Sequence, residues 1–201
     1  MRLIRFGEPG REVPGLWQDG RVVALRRHFP QIPDVGGAFF REGWLERIRG
    51  LEDPGEERDV RLGPPIASPS KLICLGKNYA EHAREGHFDP PAKPLLFAKA
   101  PSALTGPRDP VMLPRSGGQV DWEVELAVII GTRAKNVTEA DALSHVAGYA
   151  LFNDLSERAW QIERGGQWTK GKSHDGFAPL GPWLVTPDEI GDPQDLALTL
   201  S

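Results

Sequence analysis

Two glutamates, Glu123 and Glu125, stand one residue apart at the head of the apolar run in "VDWEVELAVIIG". In an extended strand side chains alternate faces, so Asp121, Glu123 and Glu125 share one side while Trp122, Val124 and Leu126 share the other. An isolated Glu-x-Glu of this kind is most often the wet face of a half-buried strand. Here the following "LAVIIG" is apolar on both faces, which predicts that the strand runs into the interior. Neighbouring carboxylates in a partly buried place repel each other and raise a pKa unless a cation neutralises them. A hard divalent ion suits that need, because it prefers oxygen ligands, and Mg²⁺ usually takes few carboxylates and leaves its other positions to water or substrate. A third carboxylate is then required. Asp154, closing the apolar segment in "ALFNDLSER", is the candidate, and it reads equally well as the N-cap of a following helix.

A second pair lies in "GKNYAEHARE", where His82 and Glu85 are three residues apart on a predicted helix and so share a face. A carboxylate that holds an imidazole in one tautomer makes a general base toward water; a solvated surface pair is the plainer reading. The third segment is "GGQWTKGKSHDGFAPLGP". Residues 166–173 match the G-x-x-x-x-G-K-S phosphate-loop pattern. That loop must leave a buried strand and open a helix, yet here a helical stretch precedes it and Gly176, Pro179, Gly181 and Pro182 follow. Lys172 is therefore read as a cation carried by a loop to a site between strands, with a surface lysine as the alternative.

The elements that must position these side chains are short. The chain has 23 glycines and 19 prolines in 201 residues, spread along its length, so turns are many and long helices few. "MRLIRFG" reads as an edge strand, and "GLWQDGRVVAL" as a hairpin turning at Asp19-Gly20. Phe40, Trp44, Ile48 and Leu51 recur at helical spacing, which predicts one amphipathic helix over 39–51. Residues 52–70 mix charge with proline and glycine and read as a linker, dividing the chain into 1–69 and 70–201. Beyond it, "KLICLG" predicts a short buried strand, and Asn78 with Glu81 predicts a capped helix. "PLLFAKA", "VMLP", "QVDWEVELAVIIG", "GYALFND", "APLGPWLVT" and "LALTLS" predict strands. Thr138 predicts a helix N-cap, and a further helix is expected over 156–164.

A net charge of -4 and a pI near 5.8 argue against a nucleic-acid surface or a polybasic membrane anchor. No apolar stretch is long enough to span a bilayer. The single cysteine, Cys74, reads as a buried structural thiol, consistent with a reducing compartment, and the cytoplasm is expected.

Five segments in order, "ICLGKNYAEHAREG", "PLLFAKAPSALTGPRDPVMLP", "DWEVELAVIIG", "GYALFNDLSER" and "KSHDGFAPLGPWLVT", closely resemble the fumarylacetoacetate hydrolase family, and the similarity runs over residues 70–201. The resemblance implies an α+β, mainly β fold: a β-rich mixed sheet roll with a small N-terminal domain. It implies Mg²⁺ or Mn²⁺ held by Glu123, Glu125 and Asp154, a lid carrying His82 and Glu85, and Lys172, Gln161 and Arg158 facing the ligand. The opening "RFGEPGREVPGL" resembles the bacterial subgroup that cleaves 2,4-diketo-3-deoxy sugar acids. The expected reaction is C–C hydrolysis of a 2,4-diketo acid, with decarboxylation of oxaloacetate-like acids or keto-enol isomerisation on the same site as alternatives. The partners implied are a small keto acid and a second copy in a homodimer. Family members continue past this point with further core strands, so a C-terminal part is expected to be missing, and a non-catalytic remnant is the third reading.

Overall fold

The computed structural model describes residues 1–57, 59–79, 84 and 91–199. Its strands are β1 Arg2–Phe6, β2 Val13–Gln18, β3 Arg21–Ala24, β4 Glu56–Glu57, β5 Leu62–Gly63, β6 Leu72–Gly76 and β7 Leu95–Lys99. They continue as β8 Leu104–Thr105, β9 Val120–Asp121, β10 Val124–Ile130, β11 Val146–Asn153, β12 Ser156–Glu157, β13 Ala178–Pro179 and β14 Leu184–Val185. The mainly β class is as the residues and the resemblance imply. An eight-stranded sheet runs β10-β11-β14-β1-β2-β3-β4, with β5 also paired to β1, so it draws on residues from both sides of position 70. Smaller pairs are β12 with β9, β13 with β8 in parallel, and β6 with β7.

The β2–β3 hairpin forms where expected, pairing Gln18 with Arg21 across Asp19 and Gly20. Both turn residues have positive φ, 47° and 86°, the backbone that matches strand twist in a two-residue hairpin. The first strand is not an edge strand as its basic residues suggest. β1 lies between β14 and β2, and Arg5 is buried with carboxylate partners, so its charge does not mark a wet edge. The helix expected over 39–51 is two short helices, Gly37–Arg41 and Trp44–Arg47, interrupted where Gly43 turns left-handed at φ 71°. Phe39, rather than Phe40, is fully buried there, with Trp44 and Ile48. These three join Leu3, Leu16, Val23 and Leu184 in one core that extends to Phe152, Ala178 and Leu180.

Other expectations shift in detail. β6 is half-buried rather than buried: Cys74 faces inward while Ile73 and Leu75 are exposed. "VMLP" and residues 192–199 form no strand. The helix expected over 156–164 is present over Ala159–Glu163 only, as a π-helix, and is preceded by β12. Thr138 does cap the short helix Glu139–Ala142, accepting a hydrogen bond from the Asp141 amide. The helix expected from Asn78 falls almost entirely outside the described residues. Among the described residues no helix is long and apolar enough to cross a membrane.

The most consequential difference concerns the opening motif. The single long strand expected over 119–131 is two, β9 and β10, with Trp122 and Glu123 between them. β9 pairs with β12, whereas β10 pairs with β11. The opposite strand is broken at the same level, between Asn153 and Ser156. Nor does β10 plunge inward: it ends the main sheet, and Val128 and Ile130 are about half exposed.

Candidate metal centre

The facing breaks create the site. Across them the Asp154 amide donates to the Glu123 carbonyl at 2.9 Å, and the Glu123 amide donates to Asn153 Oδ1 at 3.2 Å. These bonds hold Glu123 and Asp154 opposite each other. Glu125, one residue into β10, pairs with Phe152. One ligand oxygen from each of Glu123, Glu125 and Asp154 lies within 4.8 Å of the others. Three carboxylates from two segments thus meet, with Asp154 fully buried. Asp154 is not a helix N-cap, because a strand rather than a helix follows it and its carboxylate is occupied by two lysines.

Lys172 Nζ donates to Glu123 Oε2 at 2.9 Å and to Asp154 Oδ2 at 2.6 Å. It lies 4.9 Å from the Phe97 ring centroid and is almost completely buried. A short helix, Thr169–Lys172, delivers it, rather than a loop. Lys172 closes that helix instead of opening it, so the segment lacks the geometry of a phosphate loop. Arg158 binds Asp121 Oδ2 through Nε at 3.0 Å and Nη2 at 2.6 Å, reaches Glu123 Oε1 as well, and donates through Nη1 to Gln161 Oε1 at 3.0 Å. Gln161 is buried, with its Oε1 taken by Arg158. Behind this turn the buried Glu157 accepts from the amides of Gln119 at 3.1 Å, Gly118 at 3.3 Å and Trp160 at 2.6 Å, fixing the turn against the 116–119 loop.

The acids are treated unequally. Burial alone would raise the Glu123 pKa, but Lys172 and Arg158 outweigh it and hold the carboxyl below its ordinary value. No described residue donates a hydrogen bond to Glu125. Burial, followed by the charges of Asp154 and Glu123, pushes its pKa up to about 7. An oxygen-only set with one uncompensated carboxylate fits a hard divalent cation. Cys74 lies near, but burial and then the charges of Asp154 and Glu125 raise its pKa to about 12, leaving an inert thiol.

Two participants escape the sequence reading. Lys99, at the end of β7, donates to Asp154 Oδ1 at 2.5 Å and to the Leu155 carbonyl at 2.9 Å. Its one signal is a charge inside the otherwise apolar "LLFAKA". Tyr79 accepts from the Leu126 amide at 2.9 Å, bringing the segment before the His82 region onto β10. His82 and Glu85 lie outside the described residues. Open clefts of about 800 and 690 Å³ exist elsewhere, and neither is lined by the three acids. Converging charge, not cavity size, marks this site.

Residues 71–201 match a family model described as the C-terminal domain of fumarylacetoacetate (FAA) hydrolase. A Burkholderia multivorans protein bearing only a general hydrolase name is 47% identical over 204 residues, which cover 100% of this chain and 71% of that protein. The solved structure of a fumarylacetoacetate hydrolase from Exiguobacterium antarcticum superposes with TM-score 0.71 at 38% identity, covering 94% of this chain and 67% of that one. A 5-carboxymethyl-2-hydroxymuconate delta-isomerase from Mycobacterium smegmatis superposes with TM-score 0.67 at 34% identity, covering 92% and 67%.

Proposed function

Because the chain belongs to the fumarylacetoacetate hydrolase family, we propose that it is a divalent-metal-dependent hydrolase that cleaves the C–C bond of a 2,4-diketo acid, releasing pyruvate and a carboxylic acid. The meeting of Glu123, Glu125 and Asp154 within 4.8 Å, with the Lys172 ammonium on two of them, carries this reading. Those three acids would hold Mg²⁺ or Mn²⁺, and the ion would supply Lewis acidity and a template for the keto acid's carboxylate and 2-keto oxygens.

The chain's own groups do the rest. Arg158 fixes both Gln161 and Glu123 in place, and Gln161 would offer its amide N–H groups to the ligand. His82, oriented by Glu85, takes a proton from water, whose oxygen adds to C4. The Lys172 ammonium stabilises the negative charge that develops on the C4 oxygen. The C3–C4 bond then breaks with its electron pair passing to C3, giving the pyruvate enolate and a carboxylic acid, and protonation at C3 yields pyruvate. The reading carries with it a homodimer and a cytoplasmic setting; sedimentation tests the first.

Two measurements test it. Acylpyruvates should give equimolar pyruvate and acid only with Mg²⁺ or Mn²⁺ present, and Glu123→Ala should abolish Mg²⁺ binding by calorimetry. Unchanged Mg²⁺ affinity in that variant, or hydrolysis that persists in chelator, defeats the proposal. The likeness to a delta-isomerase supports a second reading, proton relocation on the same site without water addition. Conversion of a hydroxymuconate-type acid without C–C cleavage, or CO₂ release from oxaloacetate, would favour the non-hydrolytic alternatives.

A further inference from the structure

Asp154 is held by two buried lysines that make different bonds. Lys172 Nζ bridges Asp154 Oδ2 and Glu123 Oε2, two of the three clustered acids. Lys99 makes no bond to Glu123 or Glu125. It grips Asp154 Oδ1 and the next carbonyl, that of Leu155, so it pins both the side chain and the backbone at the break between β11 and β12. Lys99 is 1% exposed and paired with Leu72 in the β6–β7 ladder. With Oδ1 tied down in this way, Oδ2 is the oxygen that shares the Lys172 ammonium with Glu123.

We propose that Lys99 is a positioning residue that sets Asp154 as an ion ligand, acting through that carboxylate and never touching substrate. This rests on the metal-dependent reading above. It makes a prediction opposite in sign to that of a mere neighbouring charge. A cation that only repels a second cation lowers affinity, so removing it should tighten ion binding. A residue that orients a ligand raises affinity, and loss of such an outer partner weakens binding by about ten- to a hundredfold.

The test is Mn²⁺ binding followed by electron paramagnetic resonance of the free ion, on the parent chain, Lys99→Met and Lys99→Gln, with thermal unfolding in chelator run alongside. Met keeps the side chain up to the position of Cε and removes the donor and the charge; Gln keeps a donor without the charge. The expected result is affinity about ten- to a hundredfold weaker in Lys99→Met, with a smaller loss in Lys99→Gln. A purely structural lysine would lower the unfolding temperature without this graded change in affinity. Affinity equal to or tighter than the parent's in Lys99→Met overturns the proposal and leaves the metal site standing. If Lys99→Met does not fold, Lys99→Gln decides alone: weaker binding supports, unchanged or tighter binding overturns. A parent chain that binds no Mn²⁺ removes the metal reading, and this inference falls with it.

Discussion

The charge cluster around Arg5 and Arg61 and the acid cluster around Asp154 both bury carboxylates, yet only the first is closed on itself. Arg5 forks onto Asp34 with two bonds of 2.7 Å and also reaches Glu12 at 3.3 Å. Arg61 forks onto Asp109 at 2.7 and 2.5 Å and takes the other Glu12 oxygen at 2.9 Å. Every carboxylate there meets a guanidinium: Asp34 and Asp109 in the bidentate geometry that gives such pairs strength and direction, Glu12 through one bond from each arginine. In the second cluster Glu123 and Asp154 have cations, and Glu125 has none among the described residues. A completed network serves the fold; one with an uncompensated carboxylate has the donor set that could take a cation.

The comparison can be broken most forcefully at Asp154. Asp154→Ala leaves the buried Lys99 ammonium without a carboxylate and Lys172 with Glu123 alone, so a loss of about 3–5 kcal/mol in denaturant unfolding is expected, together with loss of Mg²⁺ binding by calorimetry. Arg5→Met should lower stability by about 3 kcal/mol while leaving Mg²⁺ affinity where it was. An equal fall in affinity there would mean that the two clusters are not separate in function.

Acid and base titration sharpens the contrast, because Glu125 shifts in the direction opposite to Asp109 and Glu12. The Arg61 hydrogen bond chiefly holds the Asp109 carboxyl below its ordinary value, and Arg61 and Arg5 overcome the effect of burial to do the same for Glu12. A depressed folded pKa contributes stability that is present above the unfolded values of 3.8 and 4.5 and is lost as pH falls through the lower folded ones. The Glu125 pKa is raised to about 7, so its contribution is present below 4.5 and is lost as pH rises through about 7. Unfolding temperatures in chelator should therefore fall between these two values as pH rises, and Glu125→Gln should remove that slope. Arg61→Met should flatten the acid limb instead. The smallest effect belongs to a surface control. Glu46→Ala breaks only the exposed Glu46–Arg49 pair and should leave both stability and Mg²⁺ affinity unchanged within error.

Much of the acid cluster could be read from the chain, since Glu123, Glu125, Asp154 and Lys172 announce themselves as charges beside apolar runs or glycine-rich turns. The closed cluster could not. Arg5 looked like the polar face of an edge strand, and nothing near it in sequence shows that Asp34, 29 residues away, accepts its fork. Lys99 was hidden for the same reason, its partner Asp154 being 55 residues distant. The segment 119–131 differs from the single buried strand expected because apolar residues on both faces fix neither how deeply a strand lies nor where it changes partner.

The sequence by itself determined what short-range rules decide: the Asp19-Gly20 hairpin, the Thr138 cap, the mainly β character and the order of acidic and basic residues that resembles one family. Those features depend on backbone preferences and on neighbours a few residues apart. Only the tertiary structure decided that two strands break at the same level, that Lys99 and Lys172 take opposite oxygens of Asp154, and that Glu125 is left without a donor among the described residues. Charge pairing and desolvation act through space, so they became visible only when distant segments were brought together.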